Sequence, residues 1–248
     1  MDISAFLTPP EIMSARRALC IQPHPDDNEI GMGGIVAALA AKGCEIHYLT
    51  VTNGDLGAQG GPIDPAELAV LRRQETVAAG EALGVKVFHF FDEPDGSLSD
   101  VPALAGKIAE LVRTIQPDVV FCPDPWVLYE AHQDHVVTGR AAAQAFISSS
   151  LAKYPRDTDT TPWQCSAIGF YFTQAPNTVV DITDTFEAKF AAMALHRTQM
   201  SEELLGLYRV YFTMQGQQLA KDKGFALGEG LKVLGPLHMH CFAQAPQI

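Results

Sequence analysis

Apolar and polar positions follow one another along the chain in blocks that predict strands and helices in turn. Short apolar runs, rich in β-branched and aromatic residues, predict strands at residues 18–21, 44–52, 85–91 and 118–122. After each of them, apolar residues spaced three or four positions apart predict helices at residues 32–43, 65–83, 101–115 and 136–149. This repeated alternation predicts an α/β protein with a Rossmann-like, mostly parallel sheet and helices on both faces.

The remaining segments are less regular. Two further strands and two further helices are predicted at residues 167–173, 178–182, 184–199 and 202–220. The other segments are an N-terminal arm over residues 1–17, an exposed loop over residues 153–162 and a C-terminal tail over residues 221–248. His238 and His240 alternate in that tail, so we expect them to share one side of a strand, as a weak metal site or as surface residues. All 248 residues are expected to form one domain.

The composition is that of a protein with a sizeable core, and it narrows the possible partners. Of the residues 47% are hydrophobic, and the formal net charge is −12. Because phosphate groups demand a basic face, this acidity argues against nucleic acid and anionic membranes as partners. We expect no signal peptide and no span of the ~20 apolar residues that cross a bilayer. The five cysteines are scattered, which indicates reduced thiols in a cytoplasmic protein.

The junction between the first predicted strand and the helix after it carries a histidine and two adjacent carboxylates, His24, Asp26 and Asp27. In open α/β sheets ligands gather at this carboxyl edge. We expect His24 and Asp27, three positions apart, to converge on a divalent cation, with Asp26 directed toward a water molecule bound there. The alternative is an ordinary helix N-cap at Asp27 or Asn28, with His24 at the surface.

A second acidic and histidine-rich group follows the fourth predicted strand. His132, Asp134 and His135 lie at the start of the next helix, and two histidines three residues apart face the same direction on a helical turn. Catalytic zinc is typically held by three nitrogen or oxygen ligands with one position open for water. His24, Asp27 and one of these two histidines would supply the three. Two such groups at equivalent junctions are much stronger evidence than a lone His-x-x-His.

These two motifs, His24-Pro25-Asp26-Asp27 and His132-Gln133-Asp134-His135, resemble those of the LmbE-like, or PIG-L, family of zinc-dependent de-N-acetylases. The resemblance continues in order through residues 52–57, 72–75, 123–126, 176–183 and 196–199. Within the family the chain looks most like the diacetylchitobiose deacetylases, which share the segments at residues 123–126, 169–172 and 228–230. Those enzymes deacetylate the non-reducing N-acetylglucosamine of short chitin fragments and form hexamers. Asn28 and Gln133 depart from the commoner family pattern, but neither is an expected ligand.

The resemblance implies a zinc ion held by His24, Asp27 and His135. Such an ion would lower the pKa of water from ~15.7 toward ~7 and polarise the acetamide carbonyl. Asp26 would take the proton of the attacking water and return it to the departing amine, acting first as base and then as acid.

The resemblance also implies the groups that face the substrate. His132 would stabilise the developing oxyanion, while Asp134 would fix its tautomer and favour its charged form. Four further residues are implied at an amino-sugar substrate: Arg72, Asp95, Trp126 and His240. The last would come from a neighbouring subunit, with the tail at the interface of a trimer or hexamer. The sequence alone also allows Arg72 to be a solvated charge on its helix.

The expected function is removal of the N-acetyl group from N-acetylglucosamine or short chitooligosaccharides. The same zinc scaffold would alternatively cleave a non-sugar amide or hydrate an unsaturated acid, and several converging cations in the pocket would favour a polyacid. Nucleotide binding is disfavoured, because residues 31–34 lack the G-x-G-x-x-G spacing and two carboxylates precede them. We interpret His47 as a packing or edge residue and His196 as a structural residue at the C-terminus of a helix.

Overall fold

Seven strands form the sheet at the centre of the fold. In the computed structural model, which describes residues 6–58 and 63–248, they are β1 (Arg17–Gln22), β2 (Glu45–Thr52), β3 (Val87–Glu93), β4 (Val119–Pro123), β5 (Ala167–Tyr171), β6 (Thr178–Asp181) and β7 (Gly228–Leu234). Their order across the sheet is β3-β2-β1-β4-β5-β7-β6. β7 is antiparallel to β5 and β6, and the other described pairs are parallel. The predicted α/β class with a mostly parallel sheet is confirmed.

Helices cover both faces of this sheet. They are α1 (Asp27–Ala41), α2 (Pro65–Ala82), α3 (Val101–Ile115), α4 (Gln133–Ser148), α5 (Phe186–Met193) and α6 (Glu202–Ala220). Side chains of α1, α2 and α5 belong to one buried apolar cluster, and those of α3 and α4 belong to another. Leu19 and Cys20 of β1 lie in different clusters, because successive side chains of a strand point to opposite faces. Among the described residues, no helix has both the length and the hydrophobicity of a membrane span.

The parallel strands place the histidine motifs at one edge. β1 and β4 are neighbours, and each ends directly before a motif residue or the loop that leads to one. α1 begins at Asp27, earlier than predicted, and it is broken at Met32, which has φ −154° and ψ 26°. The carboxylate of Glu229 in β7 accepts a hydrogen bond of 2.8 Å from the Ile35 amide and so caps the second part of α1. The apolar pattern in the sequence covers only the second part of α1. The start predicted from that pattern is therefore later than the observed one.

The C-terminal segment differs from the prediction. Residues 228–234 are an internal strand of the sheet, so residues 221–248 are not simply a tail. Pro236–Met239 forms a short 3-10 helix, because proline ends strand pairing. His238 is buried there and accepts a hydrogen bond of 3.0 Å from the Gly235 amide, while His240 is exposed. The expectation that the two histidines share one side of a strand is therefore wrong.

Several residues that were interpreted as structural lie in surroundings that fit this interpretation. His47 is buried, and its Nε2 lies 2.7 Å from Glu45 Oε1. All five cysteines are free, and only Cys241 is exposed.

The predicted arm is irregular from residue 6 until β1 starts at Arg17, and its first five residues lie outside the described part of the chain.

Candidate active site

His24, Asp27 and His135 converge where β1 and β4 end. His24 Nδ1 lies 3.3 Å from Asp27 Oδ2, and His135 Nε2 lies 3.4 Å from Asp27 Oδ1. One possible ligand atom from each residue lies within 4.8 Å of the other two. The structure thus brings together the three residues that were named as ligands, because adjacent parallel strands deliver distant parts of the chain to one edge.

The chemistry of these donors fits a divalent cation. Two imidazole nitrogens and one carboxylate are ligand types of catalytic zinc, and three protein ligands leave a position open for water or substrate. The side chains of His24, Asp27 and His135 are exposed by only 9%, 8% and 13%. A cation held here would therefore be largely shielded from bulk solvent, which strengthens its electrostatic effect on a bound ligand.

Three carboxylates surround the His24 ring. Its Nε2 lies 3.1 Å from Asp95 Oδ1 and 3.2 Å from Asp134 Oδ2, while Nδ1 faces Asp27. A ring that donates from Nε2 to a carboxylate keeps Nδ1 available as a ligand atom. Burial lowers the pKa of His24, but the hydrogen bonds to Asp134, Asp27 and Asp95 outweigh burial and raise it from 6.5 to about 11.

Metal binding is expected to release a proton at pH 7. With a pKa of about 11, His24 is protonated at that pH in the metal-free protein, whereas a histidine ligand must be neutral. Because His24 must lose its proton before its nitrogen can bind the metal ion, the affinity for metal should rise with pH between about 6 and 9. Calorimetric titration with zinc in two buffers of different ionisation enthalpy measures this release. Identical heats in the two buffers, after correction for zinc–buffer binding, would contradict the expectation.

Asp26 combines a buried position with a raised pKa. It precedes α1 with φ 115° and makes no capping hydrogen bond with its side chain. Burial and the charge of Asp27 raise its pKa from 3.8 to about 7, although Arg72 and His196 act in the opposite direction. A carboxyl group with such a pKa can accept a proton near neutral pH and also return it.

Arg72 is buried behind Asp26 and is only 3% exposed. Its guanidinium donates to the carbonyl oxygens of Pro25 at 2.7 Å and Gly54 at 3.0 Å, and it lies 3.5 Å from Asp26 Oδ2. The alternative of a solvated charge is therefore wrong. Gly54 has φ +67°, and a Cβ there would come within 2.5 Å of the Arg72 Nη1 atom. Arg72 thus ties two loops together around Asp26.

The hydrogen-bond partners of Asp134 in the structure are groups other than His132. Its buried carboxylate accepts hydrogen bonds from the amides of Gly96 at 2.7 Å and Leu98 at 3.1 Å, and it lies beside His24. The reason is positional: His132 precedes α4 and is exposed, whereas Asp134 lies in its first turn and is directed inward. Burial, followed by the charges of His24 and His135, lowers the pKa of His132. Asp134 acts in the opposite direction and favours the charged form of His132, but burial and the two histidine charges outweigh it.

The other residues expected at the substrate are dispersed. Asp95 lies beside His24 in the site. Trp126 is 48% exposed and lines a second cavity of about 400 Å³, together with His238. His240 does not line the cavity next to the candidate metal ligands of its own chain.

Glu29 and His196 form a buried pair that sequence reasoning missed. His196 Nε2 lies 3.2 Å from Glu29 Oε2, and both side chains are fully buried. α5 ends at Met193, so the placement of His196 at the C-terminus of a helix is wrong. One signal for Glu29 exists in the sequence, because it lies in the first turn of the helix that Asp26 precedes.

A cavity of about 940 Å³ adjoins the candidate metal ligands. Asp27 and His135 contribute to its lining, as do Lys189 and Glu229. Lys189 Nζ lies 2.5 Å from Glu229 Oε1, so these two charges pair with each other. α6 supplies much of the remaining wall through Tyr208, Tyr211, Phe212, Gln215, Gln218 and Leu219. Its sequence pattern predicts a helix but gives no sign that one face lines a cavity.

Two histidines and an aspartate at the carboxyl edge of a mostly parallel sheet define an α/β protein with a candidate hydrolytic metal centre. Comparison with known proteins makes this class specific. Residues 19–146 match the PIG-L family, described as GlcNAc-PI de-N-acetylase. The chain belongs to this family, whose deacetylases are metalloenzymes.

Similar proteins extend the match beyond the family region. The chain is 33% identical to the diacetylchitobiose deacetylase of Thermococcus kodakarensis over 228 residues, which covers 91% of this chain and 85% of that protein. The structure of the N,N'-diacetylchitobiose deacetylase from Pyrococcus horikoshii, solved with an inhibitor, superposes with a TM-score of 0.89 at 33% identity, covering 95% of this chain and 90% of the other. A 4-carboxy-2-hydroxymuconate hydratase from Pseudomonas putida, 24% identical with a TM-score of 0.77, shares the fold over 89% of this chain and 97% of its own.

Proposed function

We propose that this protein is a zinc-dependent hydrolase that removes the N-acetyl group from N-acetylglucosamine or from short chitooligosaccharides such as diacetylchitobiose. The observation that carries the proposal is the convergence of His24, Asp27 and His135 next to Asp26, a carboxyl group with a raised pKa. Similarity to diacetylchitobiose deacetylases over nine-tenths of the chain supports the amino-sugar substrate.

Zinc held by His24, Asp27 and His135 would polarise the acetamide carbonyl and lower the pKa of water from ~15.7 toward ~7. Asp26 accepts the proton that the attacking water loses as the new carbon–oxygen bond forms. It then donates that proton to the amine nitrogen as the carbon–nitrogen bond breaks, so acetate and a free amino sugar are the products. Arg72 holds the Asp26 carboxylate and the loops beside it in position.

His132 is assigned to the developing oxyanion. It is exposed next to His24, with ring centroids 4.4 Å apart, so it is open to a ligand at the metal site. As a neutral imidazole it donates one N–H to the oxygen that gains negative charge. Asp134 acts through His24, which it holds in place, and Asp95 is assigned to hydroxyl groups of the sugar.

Replacement of His132 by alanine should reduce kcat by about 10²–10³-fold, the effect of removing one donor to an oxyanion. KM should change little, because the interaction strengthens only as charge develops. Steady-state kinetics on the preferred acetylated sugar, with zinc content measured in parallel, test this assignment. His132→Gln keeps an N–H donor and should recover part of the lost rate. A rise in KM with kcat unchanged would remove His132 from this role.

The charge of the cavity disfavours a polyacid substrate. Among the described residues, Lys189 is the only lysine or arginine in its lining, and it is paired with Glu229. A substrate with several carboxylates would need converging cations to offset its desolvation. A neutral sugar needs none, so the hydratase alternative is the weaker one despite the shared fold.

We propose further that the protein is a cytoplasmic homo-oligomer, a trimer or hexamer, in which His240 of a neighbouring subunit approaches the site. The α6 face with exposed Leu207, Val210 and Met214 supports association, since apolar patches of this kind commonly mark interfaces. Sedimentation analysis of the purified protein tests the oligomeric state, and a monomer at micromolar concentration would argue against it.

Metal analysis combined with an amine-release assay tests the proposed function. N-acetylglucosamine and diacetylchitobiose should release free amine, whereas simple acetamides and an unsaturated tricarboxylic acid should not react. Amine release from simple acetamides alone would favour a non-sugar amide. Hydration of the polyacid without any amine release would overturn the proposal.

A further inference from the structure

The imidazole ring of His135 has one nitrogen that faces away from the other candidate ligands. Its Nε2 lies 3.4 Å from Asp27 Oδ1, and its ring stacks on Phe172 with centroids 6.0 Å apart. Its Nδ1 is buried and, among the described residues, has no hydrogen-bond partner. A histidine that binds a metal ion through Nε2 carries its proton on Nδ1, and a buried N–H without an acceptor is costly. We therefore expect an acceptor for this N–H close by.

Glu130 supplies the carboxylate at this position. In the described part of the chain it is the only acidic residue with an oxygen within 4.0 Å of His135 Nδ1, and its Oε2 lies at 3.8 Å. That distance is only slightly longer than the ~3.2 Å of a long N–H···O hydrogen bond, so small changes in side-chain torsion angles would close it. His24 already has such carboxylates beside its ring, in Asp95 and Asp134.

The other oxygen of Glu130 holds the second histidine of the same motif. Oε1 accepts a hydrogen bond of 2.8 Å from the His132 amide, directly before α4. Tyr129, the residue before Glu130, has φ 71°, in the left-handed region that is unfavourable for residues other than glycine. The Tyr129 side chain is 97% exposed, whereas that of Glu130 is 26% exposed. The turn thus leaves the tyrosine in solvent and places the carboxylate against both histidines.

We infer that Glu130 is a positioning residue for the metal site. One of its oxygens accepts the Nδ1–H of His135, and the other fixes the backbone of His132. The inference rests on the proposed function, because it concerns the metal ion that His24, Asp27 and His135 would hold. A carboxylate behind a histidine ligand fixes its tautomer and ring orientation and makes it a stronger ligand. Glu130 therefore strengthens metal binding without being a ligand itself.

The zinc affinity of Glu130 variants, measured by competition with a chromophoric chelator, tests this inference. Glu130→Ala should weaken zinc binding by about 10–100-fold, the usual effect of removing such a carboxylate. Glu130→Gln keeps an acceptor oxygen but loses the charge. Because a hydrogen bond to a charged group is about twice as strong as a neutral one, this variant should lose only about 3–10-fold.

Glu93→Ala is the matched control. Glu93 also lies at the carboxyl edge, at the end of β3, and its side chain is 30% exposed. Its partner is Lys107, which is not a candidate ligand. Either alanine variant removes one negative charge, so a long-range effect of charge alone would appear in both. The zinc affinity of Glu93→Ala should stay within about twofold of the wild-type value.

The possible results separate clearly. Wild-type zinc affinity in a folded Glu130→Ala protein, verified by circular dichroism, would overturn the inference, and so would an equal loss of affinity in Glu93→Ala. If Glu130→Ala does not fold, Glu130→Gln decides, and an unchanged affinity there is equally contrary.

Zinc affinity is measured without turnover, so it also separates this inference from the proposed function. A wild-type protein that binds zinc and releases amine from neither sugar would overturn the proposed function, while the predicted losses in the Glu130 variants would still uphold the positioning role. A wild-type protein that binds no zinc would overturn both.

Discussion

Asp26→Asn should retain the metal and lose about 10²–10⁴-fold in kcat, the range that general acid–base catalysis contributes. Asparagine preserves the shape of the side chain but cannot accept the proton of water. The raised pKa of about 7 makes Asp26 the carboxyl group best matched to this transfer. Zinc analysis and steady-state kinetics on the same protein sample separate the loss of proton transfer from the loss of metal.

Asp124→Asn is a matched control for that experiment. Asp124 also precedes a loop at the carboxyl edge, but it lines the second cavity, to which His24, Asp27 and His135 do not contribute. Its substitution should leave kcat within about twofold, the usual scale for a residue outside the site. Wild-type turnover by a metal-loaded Asp26→Asn protein would remove Asp26 from its assigned role.

His135→Ala should abolish both zinc binding and turnover. It removes one of only three protein ligands, and the two that remain do not complete the donor set of a catalytic zinc site. The matched control is His132→Ala, which removes the other histidine of the same motif. That protein should keep its zinc and lose only rate, so metal content distinguishes two residues that the sequence alone leaves equivalent.

Metal removal from the wild-type protein completes this test. Dialysis against a chelator should abolish turnover and lower the melting temperature, because a ligand that binds only the folded state stabilises it. Added zinc should restore both properties in the wild-type protein and neither in His135→Ala. Full activity of a zinc-free wild-type protein would show that turnover does not depend on a zinc ion held by His24, Asp27 and His135.

Local patterns predicted much of this architecture because they report on local structure. The apolar runs around Cys20 and Phe121 locate buried strands, and their burial on both sides is typical of a parallel sheet. The same strands explain why the candidate ligands could be named from two motifs. Once β1 and β4 are parallel neighbours, His24 and His135 must lie at one edge.

Features that depend on long-range packing were not predictable in this way. Asp134 follows His132 by two residues, yet its partner is His24, which reaches it only through the folded sheet. The buried pair of Glu29 and His196 joins the first motif to a turn after α5. The periodicities of helices and strands relate only positions that are near in the sequence, so they do not predict this pair. The misplacement of His196 followed from extending α5 beyond Met193, since propensity alone does not locate the end of a helix.

The capping of α1 by Glu229 has a consequence for folding during translation. The carboxylate that caps the second half of this early helix belongs to a strand near the end of the chain. During translation β1 and α1 leave the ribosome long before residue 229, and the sheet still has a gap between β5 and β6. A nascent chain consequently holds its histidines and aspartates in an unfinished framework, and the fully supported site forms only after synthesis is nearly complete.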